Sequence, residues 1–288
     1  MTVQVDDKTS FHKILIQKIK FTFITKNKAF LPPFTGHLLR GLLYNILAES
    51  DEELVELLHE KSKLRPFGIS KVYVAHTNEL KRVKNTGELD LQKGTVIYFY
   101  ITVIRKNIKE RVIKAILQRK NEDLYLNYLQ LQLINIELEP KTIPDIKVVA
   151  GKYIIEFETE TQFKTKDSKI YLLPDPEKLF SSITRLAIEL LPEVAVPKPI
   201  EIRELVNKYV YVRNVKIVTR EIDIGEKTLQ VGFKGKITLI MEKKIEQLPK
   251  EEREKAKWLP MLLYLGNHIN IGTKRTVGMG KINVSKKN

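Results

Sequence analysis

The chain has 288 residues, 43% of them hydrophobic, enough to fill the cores of two domains of ordinary size. It carries 50 Lys and Arg against 35 Asp and Glu, and a formal charge of +15 attracts polyanions, of which nucleic acid is the commonest in cells; the other reading is a purely adaptive surface charge. The absence of cysteine excludes disulfides, thiolate zinc sites and cysteine nucleophiles, and with no secretory-signal pattern and no membrane-length apolar run, a cytoplasmic chain without membrane contact is expected.

In chain order, His12–Phe23 alternates apolar and polar residues in part and predicts a strand. After Pro32 and Pro33, Leu38, Leu39, Leu42, Leu43 and Ile46 recur at helical spacing. Ser50 and Glu53 have the spacing of a capping box, so a second helix is expected there, with Leu54, Leu57 and Leu58 on its apolar side. Strands are predicted at 69–75 and 96–104, a helix at 108–117 and a strand at 124–138. That order, β-α-β-β-α-β with one added helix, is the ferredoxin-like unit. The turn-rich stretch Glu139–Pro144 suits a linker.

Beyond it the order repeats. A strand is expected at 148–157 and a helix from Asp175, with Pro176 in the first-turn position that proline tolerates. Strands follow at 209–221 and 229–242, then a helix reaching about Leu265 with Pro260 inside it, and a short strand near 281–284. The fold class is therefore α+β: two tandem ferredoxin-like domains, residues 1–142 and 146–288, closed by a C-terminal glycine-rich loop.

Three groups of residues could carry chemistry. The loop Gly266–Lys281 places Lys274 and Arg275 among glycines, and no acidic residue follows Gly266. Glycines let successive N–H groups turn toward one phosphate, so this is either a phosphate-binding loop or a plain turn between helix and strand. It has neither the spacing of a nucleotide P-loop nor that of the dinucleotide fingerprint. The second group is Tyr44, His59 and Arg65, which an antiparallel helix pair can bring to one edge. Histidine takes and gives protons near neutral pH, although a lone one more often has a structural role. No histidine has metal-ligand spacing with its neighbours, so neither metal nor cofactor is expected. The third group is a scatter of cations, including Lys18, Lys20, Lys26, Lys28 and Arg40 in an acid-free interval from Lys8 to Ala48.

The run Leu38–Asn45, then Leu57-Leu58-His59-Glu60, then Arg65–Ser70, resembles the N-terminal half of the CRISPR repeat-RNA (pre-crRNA) processing endoribonucleases of the RAMP superfamily. Gln162-Phe163, Leu173–Pro176 ahead of a helix ending in Arg185, Gly232-Phe233 with Gly235, and the closing glycine-rich loop extend the resemblance over nearly the whole chain. It implies two ferredoxin-like domains, CRISPR repeat RNA as partner and substrate, and cleavage without a metal. The reaction expected is attack of a ribose 2′-hydroxyl on the adjacent phosphate, giving a 2′,3′-cyclic phosphate and a 5′-hydroxyl. The family's catalytic tyrosine, histidine and lysine map onto Tyr44, His59 and Arg65. Arginine in place of lysine keeps the electrostatic role and loses the acid role. Lys28, Gly272, Lys274, Arg275, Gly278 and Gly280 are the RNA-binding residues it implies. Asn270 stands where the family's loop usually has its first glycine. Unpaired bases are also expected to stack on aromatic residues that the sequence does not single out. The alternative is a non-catalytic RNA-binding subunit of a guide-RNA effector complex; other effector subunits and a second copy of the chain are further candidate partners.

Overall fold

The computed structural model describes residues 15–59, 67–75, 83, 86–103, 106–142, 146–165, 167–192, 194–225 and 229–287. The first half contains β1 (Leu15–Thr25), β2 (Ala29–Leu31), α1 (Gly36–Ser50), α2 (Glu52–His59), β3 (Phe67–Ile69) and β4 (Tyr73–Val74). It continues with β5 (Leu89–Leu91), β6 (Val96–Val103), α3 (Lys106–Gln118), β7 (Leu124–Leu126) and β8 (Leu129–Thr142). The second half contains β9 (Gly151–Thr161), β10 (Phe163–Lys164), β11 (Ile170–Tyr171), α4 (Pro176–Leu190) and α5 (Pro199–Tyr209). Then come β12 (Val210–Ile222), β13 (Gln230–Met241), α6 (Lys250–Ala256), α7 (Trp258–His268) and β14 (Ile282–Lys287).

Both halves are ferredoxin-like. The N-terminal sheet runs β7-β8-β1-β6-β3, with β4 also beside β6, and the C-terminal sheet runs β14-β9-β13-β12. The pairings within both sheets are antiparallel. Period-two alternation sends Ile19, Phe21 and Phe23 of β1 into the core, where Phe21 and Phe23 each pack 5.6 Å from Phe99 of β6. The predicted apolar side of α1 closes that core with Leu39, Leu42, Leu43 and Ile46. In the second half Phe157 and Phe233 meet edge to face at 4.8 Å under α4 and α7. Asp175 caps α4 as expected, accepting from the amides of Glu177 and Lys178 at 2.7 and 3.3 Å. No helix among the described residues is long and apolar enough to cross a membrane.

Several local expectations give way to tertiary contacts. The helix α1 runs through Ser50, and Asp51 rather than Ser50 caps α2, accepting from the Leu54 amide at 3.1 Å. Arg111 of α3 clamps the same carboxylate, 2.6 Å from Nε to Oδ2, and holds its pKa below the usual range. The strand predicted at 69–75 splits into β3 and β4, because the Ser70 hydroxyl takes the Tyr100 amide at 2.9 Å in place of a ladder carbonyl. The strand predicted at 124–138 splits at Asn127, whose φ of 57° makes a turn. The linker expected at Glu139–Pro144 is in large part the end of β8, which pairs with β1 as far as Leu15 opposite Thr142. Long-range pairing outweighs the local turn signal there. The helix α5 has no counterpart among the expected elements.

The glycine-rich loop joins the two halves. A single turn of 3-10 helix, Arg275–Val277, packs against α1 and β3. Phe34 before α1 shares a small apolar cluster with Ile224, Val277 and Met279. The carboxamide nitrogen of Asn270 lies 3.1 Å from the carbonyl oxygen of Ile69 in β3, 3.2 Å from that of Arg275 and 3.0 Å from that of Met279. Glycine is required where the halves approach most closely: a Cβ at Gly36 would lie 1.9 Å from the Val277 carbonyl oxygen.

Asn270→Ala leaves buried carbonyls on both sides of this seam without their donor. A loss of about 3 kcal/mol in stability is expected from unpaired buried acceptors, read as a lower midpoint in urea unfolding.

Candidate functional site

Of the residues matched to the catalytic set, the structure describes Tyr44 and the place of His59 in the chain. Tyr44 is on α1, half-buried against the N-terminal core, and its hydroxyl donates to the carbonyl oxygen of Leu58 at 3.3 Å. Leu58 immediately precedes His59, which ends α2. The structure therefore brings Tyr44 to the end of the helix that carries His59. The His59 side chain and all of Arg65 lie outside the described residues. The chain re-enters the sheet at Phe67, two residues after Arg65, on the strand that Asn270 holds.

The RNA-binding candidates divide by environment. Gly272, Gly278 and Gly280 have φ of 72°, 89° and 76°, conformations that favour glycine, and a Cβ at Gly280 would lie 1.8 Å from the Ile271 carbonyl oxygen. Several loop amides are bonded inside the protein: Gly272 to the Ser182 hydroxyl at 2.8 Å, Thr273 to the Gln162 carbonyl at 3.0 Å and Gly280 to the Glu160 carbonyl at 3.0 Å. Lys274 is exposed in a left-handed conformation, and Arg275 is 7% exposed. Lys28 is exposed between β1 and β2, with its ammonium 5.4 Å from the Phe30 ring centroid.

A groove of about 580 Å³ opens beside this loop. Gly272, Thr273 and Arg275 form one wall; α4 supplies Lys178, Ser182 and Arg185, and β10 supplies Lys164. Arg203 of α5 also reaches the groove and pairs with Glu177 at 3.0 Å. The Thr273 hydroxyl is buried without a hydrogen-bond partner among the described residues. Five cations around one carboxylate suit a phosphate chain. Of these groove residues, Lys164, Lys178, Ser182 and Arg203 are absent from the sequence-derived set. Their positions on a hairpin and two helices meet only in the folded chain, and α5 itself was not expected.

Two described histidines besides His59 have lowered pKa values. Burial lowers the pKa of His37, Asp223 works against it and Arg40 lowers it further. His268 is pushed down to about 4, first by burial and then by Lys281, Lys18 and Lys141. Its ring lies edge-on to Tyr264 at 4.8 Å. Lys281, whose ammonium donates to the Asn267 carbonyl, is itself pushed down to about 8 by burial. Among the described residues, no group of three His, Cys, Asp or Glu is placed to hold a metal ion.

Two models of one family match the chain: "Cas6 N-terminal domain" over residues 17–139 and "CRISPR-associated endoribonuclease Cas6" over residues 155–282. Among solved structures, a Cas6 product complex aligns with a TM-score of 0.67 at 18% identity, covering 94% of this chain and 100% of that one. Thermus thermophilus Cas6 aligns at 0.63 and 17%, covering 94% and 98%, and the product of a Cas6-related gene from Pyrococcus furiosus at 0.60 and 13%, covering 95% and 100%. No curated protein matches the chain by sequence. The two domains with their shared loop define a RAMP-fold protein. The chain belongs to the Cas6 family.

A histidine kept neutral in the fold makes stability depend on acid. Unfolded, His268 takes up its proton near pH 6.5; folded, it does so only near 4. Between those values the unfolded chain holds more protons, so stability falls as pH drops through 6.5 and the loss levels off below about 4. A loss on the order of 2 kcal/mol is expected from this group, discounted for its partial exposure. His268→Phe should remove that part of the dependence in urea unfolding followed from pH 7 to 4.

Proposed function

We propose that this protein cuts CRISPR precursor RNA within its repeats to release guide RNAs, without a metal. The observation that carries the reading is Tyr44 bonded to the Leu58 carbonyl, at the end of the helix that presents His59. The Cas6 family models support it, as do solved relatives bound to product and to a substrate mimic. The basic groove beside the glycine-rich loop gives the RNA backbone a surface, with Gly272 and Arg275 in its wall and Lys274 exposed beside them.

In the reaction, the ribose 2′-oxygen attacks the adjacent phosphorus as its proton is taken. The bond from phosphorus to the 5′-oxygen breaks, and that oxygen receives a proton. A 2′,3′-cyclic phosphate and a 5′-hydroxyl remain. His59 and Tyr44 handle the two protons, histidine being the side chain suited to both directions near neutral pH. Arg65 faces the extra negative charge of the phosphorane, a role its permanent charge fills without proton transfer. Lys28 completes the proposed RNA contacts, while Gly278 and Gly280 are buried and act by fixing the loop's course.

The second reading, an RNA-binding subunit of an effector complex with no cleavage of its own, shares the basic groove and is separated by chemistry. Cognate repeat RNA incubated with the protein in excess EDTA should be cut to products with cyclic phosphate ends. A single 2′-deoxy substitution at the scissile nucleotide should block cutting, and full cleavage of that substrate sinks the proposed mechanism.

His59→Ala should slow single-turnover cleavage by roughly a hundredfold or more, the scale of positioned acid–base catalysis. Its RNA affinity should stay near wild type, because a neutral imidazole adds little to phosphate binding. A wild-type cleavage rate with lowered thermal stability would instead give His59 a packing role only.

A further inference from the structure

The strand β8 is paired on one side only over most of its length. Its partner there is β1, from Leu15 opposite Thr142 to Thr25 opposite Leu131. On the other side β7 reaches only Leu129–Leu131, and among the described residues no strand pairs with β8 beyond that point. The Thr25 amide and carbonyl bond to Thr95 and Gly94, away from β8. Alternation therefore turns the backbone groups of Thr22, Lys20 and Lys18 toward β8, where they meet Asn135, Glu137 and Glu139. The N–H and C=O groups of Ile136 and Leu138 are left pointing out of the sheet. Ile134, skipped by the register at a bulge, bounds this open stretch at one end, and Pro140, with no N–H to donate, bounds it at the other.

Beside this edge lies a groove of about 600 Å³, with Ile113 and Leu117 of α3 on one wall and Leu138 on the other. Leu117 is 51% exposed and Leu138 48%. An edge that only repels other strands carries charge on its open side. Here the open side is leucine, next to free backbone donors and acceptors. One added strand satisfies both features, pairing its backbone with Ile136 and Leu138 and placing alternate side chains between Leu138 and α3. Charge selects the occupant. The groove has two lysines, Lys109 and Lys114, to one acid, Glu110. A second copy of the chain brings the same lysines and a further +15 of charge. A nucleic acid would set its phosphates against leucine, at a cost in desolvation. An acidic protein segment meets both the apolar walls and the lysines.

We propose that the β8 edge and the α3 groove bind an extended, acidic segment of a different protein, which adds a strand to the N-terminal sheet. Its apolar residues occupy alternate positions against Ile113, Leu117 and Leu138, and its acidic residues on that side meet Lys109 and Lys114. Its other face carries neutral or basic residues, because Glu137 and Glu139 flank the edge on the far side of the sheet. The surface uses none of the residues assigned to RNA and stands independently of that reading.

A displayed library of peptides about ten residues long, with apolar and randomised positions in alternation, tests the surface. Selection on the wild-type protein should enrich peptides carrying Asp or Glu on their apolar side. The tightest of them, labelled and followed by fluorescence anisotropy, should bind Leu138→Lys roughly tenfold or more weakly. Lys114→Glu, an exposed change that leaves the core intact, should also weaken it, and a peptide with its acids exchanged for lysine should recover affinity for that variant. Methylating the peptide amides at alternate positions should abolish binding in one register and spare it in the other, a readout of backbone pairing on the wild-type protein. No enrichment, equal affinity for Leu138→Lys, or tolerance of methylation in both registers overturns the proposal. So does a dimer in sedimentation that Leu138→Lys dissociates, which gives the edge to a second copy, or displacement of the peptide by RNA, which gives the groove to nucleic acid.

Discussion

The side-chain amide of Asn270 lies within hydrogen-bonding reach of three buried carbonyl oxygens, one in each of Ile69, Arg275 and Met279. An amide nitrogen has only two hydrogens, so the three contacts share them. A buried carbonyl without a partner is costly, and here the partners belong to both domains. The glycines around it have the same origin. Gly36 and Gly278 let two backbones approach, and Gly68 leaves the room that the Asn270 side chain fills. The loop that looks in isolation like a phosphate cradle therefore also acts as the joint of the molecule.

That joint bears directly on the candidate site. The segment from His59 to Arg65 leaves α2 where Tyr44 bonds the Leu58 carbonyl and rejoins the sheet at β3, the strand that Asn270 holds. The ends of the proposed catalytic segment are thus held by α1, the helix just before α2, and by the C-terminal loop, far away in sequence. The basic groove starts on the outer side of the same loop, so RNA held there lies close to the joint. Positioning of this kind, by rigid elements on either side, is what a reaction dependent on alignment and charge stabilisation requires.

Electrostatics divide the interior from the surfaces. Where the domains meet, burial pushes the pKa of Lys281 down to about 8 and that of His268 down to about 4. On the surfaces, cations are placed beside aromatic rings or around the groove. Cations are thus grouped in at least two places among the described residues, on the face of the N-terminal sheet away from α1 and around α4.

The sequence by itself determined the repeated βαββαβ order, because apolar periodicity is a local property that each strand and helix carries in its own residues. Leu39, Leu42, Leu43 and Ile46 on α1, and Asp175 with Pro176 at the start of α4, stand where their spacing predicted. It also singled out Tyr44, His59 and the glycine-rich loop as separate features. Only the tertiary structure decided that the loop docks on β3 and α1, and that Asp51 rather than Ser50 caps α2 because Arg111 clamps it. The groove at α4 and the one between α3 and β8 depend on strand register and on helices that meet across more than 20 residues of sequence. Such contacts come from long-range pairing, and the cost of closing those loops is offset only in the folded chain, so no short window of sequence contains them.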